Sequence, residues 1–159
     1  MRVLGLKLLI TMAATIALMV GCGGSDEEPL TKAEFVKQAD RICTRIGQDV
    51  QTELSTYVER QPAEGKNQTQ QELFAGAVEE ILLPAYEANV SEIGSLAPPA
   101  EGEEKVNAYL RSAQQGIDEI KKDAGASFAK YNSSLYQLEK PLEPSFKMAG
   151  EYGLQACSR

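Results

Sequence analysis

The stretch TKAEFVKQADRIC, residues 31–43, decides the fold class of this chain. Thr31 and Glu34 have the spacing of a capping box, in which each side chain bonds the other residue's backbone N–H, so a helix begins here. Apolar residues then recur at intervals of three and four, which places them on one face of that helix. They are Phe35, Ala39, Ile42, Ile46, Val50, Leu54 and Tyr57. The pattern predicts one long helix over residues 31–60.

A second helix is predicted over residues 69–96. Thr69 and Glu72 repeat the capping-box spacing, and the apolar period continues beyond them. Pro84 lies inside this stretch, where it lacks the N–H that an α-helix needs. We therefore expect a kink at Pro84.

The last helix is predicted to begin near Leu142. Pro141 and Pro144 suit a first helical turn, because a proline there loses no hydrogen bond. Gly153 has the position of a C-terminal cap, with Leu154 folding back beside it. No segment shows the sustained alternation that strands need. The chain is therefore predicted to be all-α, an up-and-down bundle of about four helices over residues 31–159.

The first 21 residues have the pattern of an export signal. Arg2 and Lys7 precede residues 8–20, which carry no charge, and this apolar run is shorter than a membrane-spanning helix. Residues 19–22, MVGC, resemble the lipobox of bacterial lipoproteins, with Met19 in place of the usual Leu. The resemblance implies that residues 1–21 are a cleaved lipoprotein signal peptide. It also implies that Cys22 carries a diacylglycerol.

The residues after Cys22 predict a short tether. Residues 22–30 combine glycine, serine and acidic side chains, which favour a flexible and solvated linker. We expect a protein on the extracytoplasmic face of the cell membrane, held there by the lipid on Cys22. The chain has a net charge of −7. Loss of residues 1–21 would remove the two positive charges of Arg2 and Lys7 and make the net charge more negative. Such an acidic domain has no attraction for nucleic acid.

Cys43 and Cys157 are the two remaining cysteines. In an exported, oxidising compartment a disulfide between them is the default expectation, and two buried free thiols are the alternative. This link constrains the third helix, whose apolar period runs from residue 101 to about 139. A helix of that length would rise almost 55 Å, too far for a short last helix to bring Cys157 back to Cys43. We therefore expect a break near Gly125, with residues 128–138 as a separate short helix.

Both ends of the mature chain resemble a family. TKAEFVKQADRIC shortly after a lipobox, and YGLQAC at residues 152–157, are similar to a group of small, mostly uncharacterised lipoproteins of actinobacteria. The resemblance implies an all-α fold and pairing of Cys43 with Cys157. It implies no activity.

The composition argues against an enzyme. There is no histidine, so Ser–His pairs and imidazole metal sites are excluded. The acidic pairs Glu79–Glu80, Glu103–Glu104 and Asp118–Glu119 are interpreted as solvated helix faces, since adjacent residues point in different directions. We expect no catalytic residue, no metal and no cofactor.

Two functions remain as hypotheses. The first is a non-catalytic binding or scaffolding module with an envelope protein as its partner. The alternative is a binding protein that holds an apolar small molecule in a cavity between helices, with tyrosines in its wall. For most of these tyrosines, packing in the core is the favoured interpretation. The six are Tyr57, Tyr86, Tyr109, Tyr131, Tyr136 and Tyr152.

Overall fold

The computed structural model describes residues 29–63, 69–123 and 138–159, and all of its regular structure there is helical. The elements are α1 (Lys32–Ala63), α2 (Gln70–Ala77), a π-helical turn (Val78–Leu82), α3 (Leu83–Gly94), α4 (Glu103–Asp123), a 3₁₀ turn (Lys140–Leu142) and α5 (Glu143–Tyr152). The all-α prediction is confirmed. The predicted signal peptide, Cys22 and the break near Gly125 lie outside the described residues, as do most of the predicted linker and of the short helix.

Both predicted capping boxes are formed. The N–H of Thr31 donates to Glu34 Oε2 at 3.0 Å, and the N–H of Glu34 donates back to Thr31 Oγ1 at 3.3 Å. At the start of α2, the N–H of Thr69 donates to Glu72 Oε2 at 2.8 Å, and Glu72 returns the bond. Each box satisfies two N–H groups that a helix start otherwise leaves without an intrahelical partner.

The helix that contains Pro84 adapts through a wider turn. α2, the π-helical turn and α3 follow one another without a gap, and the N–H of Leu83 bonds the carbonyl of Val78, five residues back. Pro84 then falls in the first turn of α3. Because the register shifts just before the proline, the helix continues through a residue that cannot donate. Where the sequence predicts a kink at Pro84, the structure has a π-helical turn just before that residue.

Neighbouring helices run antiparallel. Between neighbours, residue numbers rise along one helix as they fall along the other. The pairs are Arg45–Glu92 and Tyr57–Gly76, then Glu87–Lys121 and Gly94–Leu110, then Gly102–Tyr152 and Gly116–Leu142. α1 packs on α3, α3 on α4 and α4 on α5. With α2 and α3 counted as one helical segment, the described residues form four main helices in up-and-down order, as the sequence predicts.

The segment after α5 joins the last helix to the first. Gly153 adopts a left-handed conformation with φ 111°, and the N–H of Leu154 bonds the carbonyl of Ala149 at 2.8 Å. This geometry reverses the chain, so that Cys157 forms a disulfide with Cys43 of α1, with their Cα atoms 5.3 Å apart. Leu154 is fully buried beneath the reversed chain. The predicted glycine cap and the predicted pairing are confirmed.

The residues after position 137 return to the middle of α4. Leu138 and Leu142 are buried in one cluster with Ile117 and Ile120. A single straight helix from Glu103 to about residue 139 would carry its end more than 25 Å beyond Ile117, at 1.5 Å per residue. These contacts are not those of a straight helix that continues to residue 139, which is what periodicity alone favours. The predicted break near Gly125 lies outside the described residues.

Close packing at Gly116 predicts a large difference between two glycine substitutions. A Cβ at Gly116 would lie 2.7 Å from the backbone oxygen of Pro141, whereas a Cβ at Gly47 of α1 meets nothing within 4 Å. We expect Gly116→Ala to lower the free energy of unfolding by about 1–3 kcal/mol through overpacking. Gly47→Ala, the matched control, is expected to raise it by about 0.5–1 kcal/mol. Urea unfolding followed by circular dichroism measures both, and equal effects would contradict this account of α4 and the 3₁₀ turn.

Removal of the disulfide is expected to be the most destabilising single change. The bond closes a loop between residues 114 positions apart, for which chain entropy gives a contribution of nearly 5 kcal/mol. The double variant Cys43→Ala with Cys157→Ala avoids burying new hydroxyl groups. We expect it to lose about 2–5 kcal/mol in urea unfolding. Wild-type protein treated with reductant serves as the control and should lose a similar amount.

Candidate functional site

A cavity of about 190 Å³ lies between α1, α3, α4 and the C-terminal part of the chain. Its wall is mostly apolar, with Ile46 and Val50 from α1, Ile117 from α4, and Leu142 and Phe146 from the C-terminal part. The Cys43–Cys157 disulfide also lines it. The cavity therefore lies where the first helix is joined to the last segment.

Small residues explain why the space is unfilled. Gly47, Ala85, Ala113 and Ala156 come from four different segments and all line the cavity. None of them has a side-chain atom beyond Cβ, so the side chains of the surrounding segments do not fill the space between them. The cavity is a pocket partly open to solvent, because exposed Gly47 and Arg159 are among its lining residues.

Two polar side chains in the wall form a hydrogen-bonded pair. The hydroxyl of Tyr86 donates to Glu139 Oε1 at 2.7 Å. Burial, and then the hydrogen bond to this carboxylate, hold the pKa of Tyr86 well above its ordinary value. Tyr86 therefore stays neutral and acts as a donor that fixes Glu139 against the cavity.

A second tyrosine presents a hydroxyl with no hydrogen-bond partner among the described residues. Tyr109 is only 5% exposed and lines the cavity from α4. Burial raises the pKa of its hydroxyl to about 12, so the group is neutral under ordinary conditions. A neutral hydroxyl in an apolar wall both donates and accepts hydrogen bonds.

Asn89 supplies the third polar group. Its Oδ1 atom is buried and has no hydrogen-bond partner among the described residues, although a buried unpaired acceptor costs about 1–3 kcal/mol. Sequence reasoning missed Asn89 as a site residue. The available signal was its position three residues after Tyr86 and next to Val90, where a polar residue adjoins the apolar face of the helix.

The other tyrosines lie elsewhere. Tyr57 is buried against α2, close to Gly76. Tyr152 packs edge-on against Phe35 with ring centroids 6.0 Å apart, and its buried Oη has no hydrogen-bond partner among the described residues. These two residues have the core role that the sequence favours, while Tyr86 and Tyr109 line the cavity. Tyr131 and Tyr136 lie outside the described residues.

The acidic pairs do not form a cation site in the part of the chain that is described. No group of three or more Cys, Asp or Glu side chains there is placed to hold a metal ion. Within the same residues, no helix is long and apolar enough to cross a membrane.

Comparison of the chain with protein-family models, with curated proteins and with solved structures finds no match. The resemblance to actinobacterial lipoproteins therefore stays a prediction. The cavity geometry carries the functional argument.

The raised pKa of Tyr109 predicts that stability falls in alkaline solution. The pKa is near 10 in the unfolded chain and about 12 in the folded protein, so the folded state holds the proton more tightly. The contribution of Tyr109 to the free energy of unfolding is complete below pH 10. It is lost as the pH rises towards 12, and the loss is at most about 3 kcal/mol. Tyr86 acts in the same direction. Urea unfolding at several pH values should show this slope, and Tyr109→Phe should reduce it. An unchanged slope in the variant would contradict the assignment.

Proposed function

We propose that this protein is a non-catalytic, lipid-anchored binding protein of the extracytoplasmic membrane face. It holds a small and largely apolar molecule in the cavity between its helices. The observation that carries the proposal is a largely apolar cavity of about 190 Å³, with the buried Asn89 Oδ1 atom unpartnered among the described residues and the Tyr109 side chain in the same wall. Ligand sites in proteins combine an apolar lining with a few polar groups in the same way.

The volume limits the ligand to a small molecule. An engineered apolar cavity of about 150 Å³ stays dry and binds benzene. A cavity of about 190 Å³ therefore suits a molecule of roughly six to nine non-hydrogen atoms. This is below the range of about 300–1,000 Å³ that is usual for larger ligands.

The polar groups support binding over catalysis. Tyr86 and Tyr109 both have raised pKa values, so neither is a good base near neutral pH. Glu139 accepts a hydrogen bond from Tyr86, which fixes its orientation. The wall thus offers donors and acceptors for recognition.

The lipid anchor would place the cavity near the membrane. Cys22 is nine positions before Thr31, and a linker of that length reaches at most about 30 Å. Cys43, in the cavity wall, lies about 16 Å along α1 from its first residue. A small apolar molecule that partitions into the bilayer would then be available close to the cavity.

The scaffolding hypothesis has less support. Among the described residues, the large apolar side chains that are exposed are Val58 and Met148. They are single residues on two different helices, α1 and α5, and so do not indicate a continuous docking surface. The small-molecule hypothesis is therefore the one that the geometry favours.

Ligand binding is tested by methyl NMR with benzyl alcohol as the probe, on the full chain in lipid nanodiscs. Ile46 and Ile117 line the cavity, so their methyl signals should shift in a saturable way. Ile93 is fully buried outside the cavity wall and should not move. This contrast separates binding in the cavity from partition of the probe into the lipid.

Cavity-filling variants provide the control for this experiment. Ala113→Leu should abolish the saturable shifts, because Ala113 is buried in the cavity wall. Ala85→Leu fills the cavity from α3 and serves if the first variant does not fold. The matched change Ala33→Leu lies on the exposed surface of α1 and should leave binding intact. Shifts that persist in the filled variants would overturn the proposal.

A further inference from the structure

We propose that the ligand of the cavity is a small organic cation, an amine with an apolar body of one ring or its equivalent. This inference rests on the proposed function and adds the charge of the ligand. It follows from a carboxylate oxygen and an amide oxygen that are available in the wall, from the aromatic rings there, and from the charge of the chain.

Glu139 supplies the negative charge. Its side chain is half-buried and lines the cavity, and the Tyr86 hydroxyl binds its Oε1 at 2.7 Å. Among the described residues, its Oε2 has no hydrogen bond, so that lone pair is available to a ligand. An ammonium group next to a partly desolvated carboxylate is attracted more strongly than it is in bulk water.

Two hydroxyl protons in the wall are already used within the protein, while two acceptors remain available. Tyr86 donates to Glu139, and Ser145 donates to the carbonyl of Leu142 at 2.7 Å, so both hydroxyl protons are used within the protein. Asn89 Oδ1 is an acceptor with no partner among the described residues. A ligand with several N–H donors can satisfy Glu139 Oε2 and Asn89 Oδ1, whereas a carboxylate, which only accepts, cannot bond either of them.

Three aromatic rings line the same cavity. They belong to Tyr86 from α3, Tyr109 from α4 and Phe146 from α5. The face of an aromatic ring attracts a cation within about 6 Å, with an energy that increases when the site is shielded from water. A cavity wall that combines aromatic rings with a carboxylate is suited to binding an organic ammonium ion.

One basic residue also lines the cavity, and its setting weakens its effect. Arg159 is exposed, and its Nε donates to the carbonyl of Gln155 at 3.3 Å. Solvent screens an exposed guanidinium more than it screens the half-buried Glu139. The net charge of −7 also draws cations towards the protein.

Three probes of nearly equal shape test the inference. Benzylamine is protonated at neutral pH, benzyl alcohol is neutral and benzoate is an anion. The same methyl NMR titration of the full chain, read at Ile46 and Ile117, gives each dissociation constant. We expect benzylamine to bind roughly tenfold more tightly than benzyl alcohol, and benzoate to bind least.

Variants of two glutamates assign the preference to one carboxylate. Glu139→Gln keeps the shape and the acceptor for Tyr86 but removes the charge. It should weaken benzylamine binding by roughly tenfold and leave benzyl alcohol binding unchanged. Glu143→Gln removes one charge at an exposed position of α5 that does not line the cavity, and should have little effect on either probe.

The outcomes separate the two proposals. If benzyl alcohol or benzoate binds as tightly as benzylamine, the ligand is not selected as a cation, and the cavity remains a binding site. If benzylamine is preferred but Glu139→Gln does not change that preference, the carboxylate assignment is wrong. If none of the three probes shifts the cavity methyls, the proposed function itself fails.

Discussion

Cys43 and Cys157 are bonded across 114 positions of sequence, and this link joins the first helix to a segment outside any helix. α1 packs on α3, α3 on α4 and α4 on α5, so the chain passes from each helix to its neighbour. The disulfide closes this series back onto α1. The N–H of Ala156 supports it by donating to Asp40 Oδ1 at 2.8 Å. Without this closure, the residues after α5 would be free to fray.

The cavity depends on the same closure. Four small residues from separate segments leave about 190 Å³ unfilled, directly beside the disulfide. The disulfide restricts the unfolded chain and joins two of the segments that form this wall. A bound ligand would stabilise the folded state further.

The electrostatic character of the cavity depends on which polar groups of its wall are hydrogen-bonded within the protein and which are not. Tyr86 directs its proton to Glu139, and burial keeps both Tyr86 and Tyr109 neutral. A carboxylate oxygen and the Asn89 amide oxygen then remain as acceptors in an apolar wall. These two acceptors are the basis on which a ligand with donors and positive charge is proposed. The neutral state of the two tyrosines is the physical basis on which a binding role is proposed here over a catalytic one.

The amino-acid sequence by itself determined the local features of this protein. Both capping boxes, the helical periodicity and the Gly153 cap depend on residues three to five positions apart, so their patterns are visible in one dimension. The Cys43–Cys157 pairing followed from cysteine count and expected compartment. The cavity could not be predicted in the same way, because Tyr86 and Glu139 meet across 53 positions. Only the packing of the helices decided that Asn89, Tyr109 and Glu139 share one cavity, since long-range contacts depend on helix lengths and turns that no local pattern specifies.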